Sequence, residues 1–300
     1  LFGITFPLVV VNYEYKKYDQ VYFACSGPFI IIGNVITTQV AENETKVSTT
    51  FVIGSRGIFN IFHPLVKYFI AKKHTSLYSA KNLAIKKSKG EFISFIDVDD
   101  TWERNKLELQ VKLFEDKEVA VVYGNSWLKN EKFNKKKKFI NYKIEEGYIY
   151  KSLIKKYNVG ILTAIIKKSF LKKKFNNKYN IIGDYDLFLS LAKKFKFKAI
   201  QNPVATYRIH ENNLSNLKKD REIFEFKDWL KNNKKKLENH EIKTIKKKII
   251  QLNFYNLKYK KYYFKAFLFF SKNIHFLFSL KNLFVLFIPN SFLKKTMWFY

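Results

Sequence analysis

Three carboxylates stand almost side by side at Asp97, Asp99 and Asp100, directly after the apolar run from Phe92 to Ile96. A run this short and this rich in β-branched and aromatic residues predicts a buried strand. Thr101 is expected to cap a helix whose apolar face is Leu107, Val111 and Phe114. Strand, acidic turn and helix in that order set the carboxylates at the carboxyl end of a strand, where open α/β sheets bind ligands. Carboxylates crowded there repel one another unless a cation joins them. Hard oxygen donors suit Mg²⁺ or Mn²⁺, which in turn hold phosphates. The same residues also suit an ordinary acidic turn leading into a helix cap, and the spacing alone leaves both readings standing.

The elements around the turn narrow the choice. Upstream, Ser79-Ala80-Lys81-Asn82-Leu83-Ala84-Ile85 reads as a helix that stops at Gly90. The order is helix, glycine, buried strand, Asp-x-Asp-Asp, Trp102 and a second helix near Lys106-Leu107-Glu108. It closely resembles the family 2 glycosyltransferases, whose usual pattern is Ala-Arg-Asn, Gly-Glu-Tyr-Ile, then Asp-x-Asp-Asp. Ile182-Gly183-Asp184-Tyr185-Asp186-Leu187 resembles that family's second acidic motif. Pro203 and the segment from Ala205 to Ser215 resemble its closing motif. The three motifs fall in family order over residues 76–215.

That resemblance implies an α/β fold of the GT-A type: a Rossmann-like mixed sheet flanked by helices, over residues 1–217. A helical, basic appendage follows over 218–300. It implies an inverting, metal-dependent glycosyltransferase that moves a sugar from a nucleotide-diphospho-sugar to a hydroxyl of a glycan or lipid-linked acceptor, in surface polysaccharide or lipopolysaccharide biosynthesis. By the resemblance, Asp97 contacts the nucleotide and Asp99 binds Mn²⁺ or Mg²⁺ across the diphosphate. Lys81, Asn82 and Arg208 complete the donor-binding set. Lys81 stands where the family mostly has arginine, which keeps the charge but loses the bidentate fork. His210 is read either as a metal ligand or as a structural group beside Arg208. Asp100 is expected to cap the following helix.

Asp184 is the implied base, at a helix start whose free N–H groups keep a carboxylate ionised; an ordinary helix cap is the bland alternative. The family usually has an acidic residue just before this Asp, and here it is Gly183. One base without a second carboxylate nucleophile implies single displacement with inversion.

Residues 1–75 depart from the family pattern. The segments Pro7 to Tyr13 and Phe29 to Asn34 predict two buried strands. In the family the second ends in paired Asp residues that hold the base; here Gly33-Asn34-Val35-Ile36-Thr37-Thr38 has no carboxylate, and Asn34 is the one substitute. Lysine density also drops before residue 67. Divergence and a local reading-frame fault both account for this. The chain starts at Leu1, so its natural amino terminus is expected upstream.

Composition limits the rest. With 300 residues, 47% hydrophobic and 18% aromatic, the chain is globular and long enough for a large domain plus an appendage. A single cysteine, Cys25, excludes an intrachain disulfide and suits a reducing cytoplasm. No apolar run approaches the length of about 18 residues that spanning requires, and no signal peptide is expected. The net charge of +31 attracts nucleic acid, anionic lipid or phosphates. The lysines lie in scattered blocks without a recognition signature, so no specific nucleic acid partner is expected. Compositional drift and an anionic membrane surface both explain them. Near the carboxyl terminus, Phe276, Leu280, Leu283, Phe284 and Phe287 share a helical face with Lys281 on another side, and Pro289 ends that helix. This face reads either as an interfacial membrane helix or as a surface packed on the domain. The expected location is cytoplasmic, peripheral at the inner face of the plasma membrane. Two rivals stand: a degenerate family member without donor binding, and a basic scaffold or nucleic-acid-binding protein.

Overall fold

The computed structural model describes the backbone of residues 9–11, 20–25, 29–41 and 44–55, and backbone with side chains for residues 77–88, 90–97, 99–210 and 219–288. The expectations for Pro7, Asn34 as a base contact, and residues 211–218 and 289–300 lie outside the described residues or side chains.

Two compact units divide the chain. The first comprises Leu1–Ile149, Asn158–Asn180 and Asp186–Ile209; the second comprises Tyr150–Tyr157, Ile181–Tyr185 and His210–Tyr300. In the first unit, β1 (Val9–Val11) is followed by β2 (Gln20–Cys25), β3 (Phe29–Ala41) and β4 (Glu44–Ser55). Then come α1 (Leu77–Lys87), β5 (Phe92–Asp97), β6 (Thr101–Trp102), α2 (Lys106–Val111), β7 (Val119–Asn130) and β8 (Lys135–Lys138). The main sheet has the order β1-β5-β9-β7-β10-β6, where β9 is Ile165–Lys167 and β10 is Lys196–Ile209, and β8 pairs with β7. β1 runs parallel to β5 and β7 parallel to β10, while β9 and β6 pair antiparallel. The sheet is therefore mixed, as expected for the α/β class, with helices flanking it.

Burial follows the sequence pattern. Ile93 and Phe95 of β5 and the run Val119 to Tyr123 of β7 are buried. α2 turns its apolar face onto the cluster of Phe114, Val119, Val122 and Ile165, with Leu107 and Val111 against it. α1 stops before Gly90, where the breaker was expected.

Several local expectations change. Thr101 does not cap α2: it pairs with Thr206 as part of β6, and the residue before the helix is Asn105. The two short strands expected at 197–200 and 204–209 are one strand, bent by register shifts on either side of Pro203. Proline lacks the N–H a ladder needs, so the strand bulges there instead of ending. Gly124 does not close β7 but lies within it. A Cβ at that position would meet Val204 at 2.8 Å, so the close approach of β7 and β10 requires glycine. The Phe29 segment is a thirteen-residue strand at the centre of a separate antiparallel sheet, β2-β3-β4.

The second unit is helical. It contains α3 (Tyr150–Lys155), the first turn of α4 (Gly183–Ala192), α5 (Lys219–Asn233), α6 (Asn239–Tyr259), α7 (Tyr263–Lys272), α8 (Ile274–Leu277) and α9 (Leu280–Phe287). Glu238 and Glu241 form a capping box at the start of α6. Phe254, Ala266, Phe270, Leu277, Val285 and Leu286 build its carboxyl-terminal core. No helix among the described residues is long and apolar enough to cross a membrane.

Candidate active site

Asp97 ends β5, and its Oδ1 takes a hydrogen bond of 3.1 Å from the Lys81 ammonium of α1. The pair is lopsided: the Lys81 side chain is 2% exposed and that of Asp97 39% exposed. The ammonium also lies 5.3 Å from the centre of the Phe95 ring. Among the described residues, this buried cation is therefore held by one carboxylate, which faces outward.

The chain then turns, with Asp100 N–H donating to the Asp97 carbonyl. Asp100 is buried, and its Oδ1 accepts the backbone N–H of Arg208 at 2.9 Å. Burial first, then the neighbouring charge of Asp99, pushes its carboxyl up to about 8, against the stabilising Arg208 N–H. Asp100 thus ties β5's turn to β10 and does not cap α2. Arg208 sends its guanidinium Nε to Glu131 at 2.9 Å.

Asn82 is engaged at both ends of its amide. It donates to the Phe175 carbonyl and to Asn177 Oδ1, and accepts the Phe175 N–H. Trp102 donates its indole N–H to the Leu162 carbonyl and joins a cluster with Ile96, Leu162 and Ala205. Lys106 is fully buried, 3.3 Å from Ser94 Oγ and 4.5 Å from the Trp102 ring centre, and burial lowers its pKa well below the ordinary lysine value.

A divalent cation fits the acidic turn by its chemistry. The available donors are carboxylate oxygens, and after burial the charges of Asp99 and Asp97 add to the upward push on Asp100. Among the described residues, no three His, Cys, Asp or Glu side chains stand together as a ready metal cage.

In the helical unit, Asp184 lies in the first turn of α4, as its sequence position predicts. Tyr157 donates its hydroxyl to Asp184 Oδ2 at 3.2 Å. Just before the helix, the N–H groups of Ile181 and Ile182 donate to Glu225 Oε2 at 2.9 and 3.2 Å. Glu225, almost wholly buried, also receives Arg221 Nε at 2.8 Å. Lys248 sets its ammonium 4.4 Å from the Phe226 ring centre, 4.9 Å from Tyr185 and 5.8 Å from Tyr157. Burial lowers its pKa, while Glu222 and Asp184 oppose that shift. Glu222 is itself pushed up by burial, with Lys248 and Lys219 pulling down and Asp184 pushing up. His210 belongs to this unit too. On the first-unit side of α4, Asp186 pairs with Lys173 at 2.8 Å.

Glu222, Glu225, Lys248 and Tyr157 escaped the sequence reading. The two glutamates are spaced i, i+3 in a helix of mixed charge, the ordinary pattern of a solvated face. Nothing local signals that one of them braces the entry to α4 from more than forty residues away.

Residues 55–200 match the pattern of Glycosyl transferase family 2. The chain is 30% identical over 141 residues to a UDP-Glc:alpha-D-GlcNAc-diphosphoundecaprenol beta-1,3-glucosyltransferase of Escherichia coli, covering 46% of this chain and 54% of that protein. It is 27% identical over 140 residues to a putative teichuronic acid biosynthesis glycosyltransferase of Bacillus subtilis, covering 46% and 55%. The chain thus spans about half the length of these curated relatives. Among solved structures, a mannosyltransferase of Pyrobaculum calidifontis in complex with GDP-Man and Mn²⁺ is similar at a TM-score of 0.47 and 14% identity, over 80% of this chain and 67% of that one.

Proposed function

We propose that the protein is an inverting glycosyltransferase. It moves a sugar from a nucleotide-diphospho-sugar to a hydroxyl of a glycan or lipid-linked acceptor in surface polysaccharide or lipopolysaccharide biosynthesis. The observation that carries this reading is the Lys81–Asp97 pair at the carboxyl end of β5, followed at once by Asp99 and Asp100. Asp97 contacts the nucleotide, and Lys81 holds that carboxylate in position from beneath. Asn82 acts by fastening the 175–177 segment, and Arg208 by its place beside the acidic turn. Asp99 holds Mn²⁺ or Mg²⁺, with His210 as a second candidate ligand. When bound, the cation supplies positive charge to the departing diphosphate.

Asp184 is the base. It takes the proton of the acceptor hydroxyl as that oxygen bonds to the anomeric carbon. The bond from that carbon to the diphosphate oxygen breaks, and its electron pair leaves with the nucleoside diphosphate. The Tyr157 hydroxyl orients the Asp184 carboxylate. Glu222 is disfavoured as a charged nucleophile by its burial and by the charge of Asp184. One working carboxylate supports direct displacement with inversion.

The Escherichia coli relative is described as acting on an acceptor with a diphosphate. A phosphate-bearing acceptor is supported here by an open cavity of about 560 Å³ in the helical unit, lined by Lys155, Thr244, Lys247, Lys248 and Gln251. Work in the cytoplasm, peripheral at the inner face of the plasma membrane, is part of the same proposal. A degenerate member without donor binding is the second reading, favoured by a family match that begins only at residue 55.

Calorimetry of UDP, GDP and dTDP with and without Mn²⁺ separates the two. The expected result is metal-dependent binding of one nucleotide, abolished in a folded Asp99→Ala variant. Absence of any nucleotide binding by the folded wild type would establish the degenerate reading instead.

A further inference from the structure

The carboxyl-terminal helices are apolar on two sides. In α9, Asn282, Val285 and Leu286 turn inward and are buried, while Leu280, Phe284 and Phe287 point the other way. Leu280 is 87% exposed and Phe287 74%. α7 repeats the design: Ala266 and Phe270 are buried, and Phe264, Phe267 and Leu268 are exposed, Phe264 at 73%. Between these helices Phe278 is also exposed. A helix that is apolar all round calls for a partner on each side, and among the described residues a packed core covers only one of them.

The outward face is enforced. Asn282 donates to the Leu277 carbonyl and accepts the Tyr255 hydroxyl at 2.6 Å. Ser279 caps the start of α9, and the Lys258 ammonium donates to the Leu286 carbonyl near its end. Rotating α9 to hide Phe284 and Phe287 would break the hydrogen bonds of Asn282 to Tyr255 and of Lys258 to Leu286.

Charge says what lies opposite. From Ile242 to Tyr300 the chain has twelve lysines and not one Asp or Glu. Lys265 and Lys281 flank the exposed faces of α7 and α9 by helical spacing, and both are exposed. On the neighbouring helix, Asp220 takes Lys260 at 2.6 Å. A second copy of this chain would bring lysines against lysines. An anionic surface with an apolar interior satisfies both the rings and the cations.

We infer that α7 and α9 form a membrane-docking face, with Phe264, Phe267, Phe284 and Phe287 entering the interface of an anionic phospholipid bilayer and the flanking lysines taking its headgroups. This names the surface behind the membrane contact proposed above and rests on that reading for its setting only.

The test is sedimentation of the purified full chain with extruded vesicles of phosphatidylcholine, alone or mixed with phosphatidylglycerol. The wild type is expected to bind the anionic vesicles. F264S/F284S/F287S is expected to partition at least about tenfold more weakly, with unchanged thermal unfolding. The control F224S alters an exposed ring on α5 and is expected to bind as the wild type does. Anionic binding unaffected by the triple substitution would overturn the inference, because charge alone would explain it. Absence of vesicle binding together with ring-dependent self-association in light scattering would overturn it in favour of a second copy. Nucleotide calorimetry on the same samples keeps the two readings apart: a protein that docks without binding nucleotide sinks the transferase and leaves the docking face.

Discussion

The asymmetry of the Lys81–Asp97 pair makes a quantitative prediction. Removing either charge ends the same 3.1 Å ion pair, yet the two losses leave different groups behind. Asp97→Asn keeps an oxygen acceptor but leaves without its counter-charge an ammonium whose side chain is 2% exposed, packed beside the Phe95 ring. A buried charge deprived of its partner costs about 3–5 kcal/mol. Movement of the flexible lysine stem toward water can recover part of that. Lys81→Met instead leaves a carboxylate that is 39% exposed and can be hydrated by water. The loss is then close to that of a surface pair, about 0–1 kcal/mol, and is partly offset by the apolar side chain that fills the space. The double variant leaves neither charge buried and should lie near Lys81→Met. Equilibrium urea denaturation at pH 7 measures all three. The expected order is Asp97→Asn least stable by about 2–4 kcal/mol, with Lys81→Met and the double variant within about 1 kcal/mol of wild type. Equal losses for the two single variants, or a larger loss for Lys81→Met, would refute the argument that burial is concentrated on the lysine.

Three further outcomes follow from the site. Asp184→Asn should bind donor nucleotide as the wild type does and transfer no sugar; turnover near wild type in a radiolabelled-sugar assay would remove Asp184 as the base. For Asp100, burial and Asp99 raise the folded-state pKa from 3.8 to about 8. The unfolded chain therefore ionises first as pH rises, and wild-type stability falls between about pH 4 and pH 8. Asp100→Asn keeps an acceptor for the Arg208 N–H, so in cation-free buffer its advantage over wild type should grow through that window to a few kcal/mol, on the order of 1.4 per pKa unit at most; a constant offset would show that Asp100 is not the source. Lys106→Met should raise stability at pH 7 by about 1–3 kcal/mol, since it removes a buried amine whose pKa is depressed by desolvation. Because a depressed lysine loses stability as pH falls below its unfolded value, the gain should shrink as pH approaches that value. Destabilisation by the Met variant would mean that the Ser94 contact outweighs the burial penalty.

The readable parts of the site are those whose cause is local. An apolar run closed by acids reads as a strand with a turn, and β5 ends at Asp97. α4 starts at Gly183, just before Asp184, because the apolar period of Leu187 and Leu191 begins there. α1 stops before Gly90 for an equally local reason. These features depend on residues within one or two turns, so chain order alone specifies them.

Long-range pairing is different. The neighbours of Thr101 predict a cap, but β10, about a hundred residues later, offers it a strand partner. Asp100 has all the local marks of a helix cap, and its partner is the N–H of Arg208, 108 positions away. Glu225 fastens the segment before Asp184, and α9 presents rings to solvent while Asn282 holds its other side inward. Sequence periodicity counts apolar residues on a face; it does not say whether a core, a membrane or water meets that face. Residue types and spacing therefore determine the chemistry available at Asp97, Asp99 and Asp184. Which carboxylate is paired, which is pushed toward its neutral form and which aromatic face stays uncovered are decided by contacts between segments distant in sequence, where burial and partner geometry set the energy.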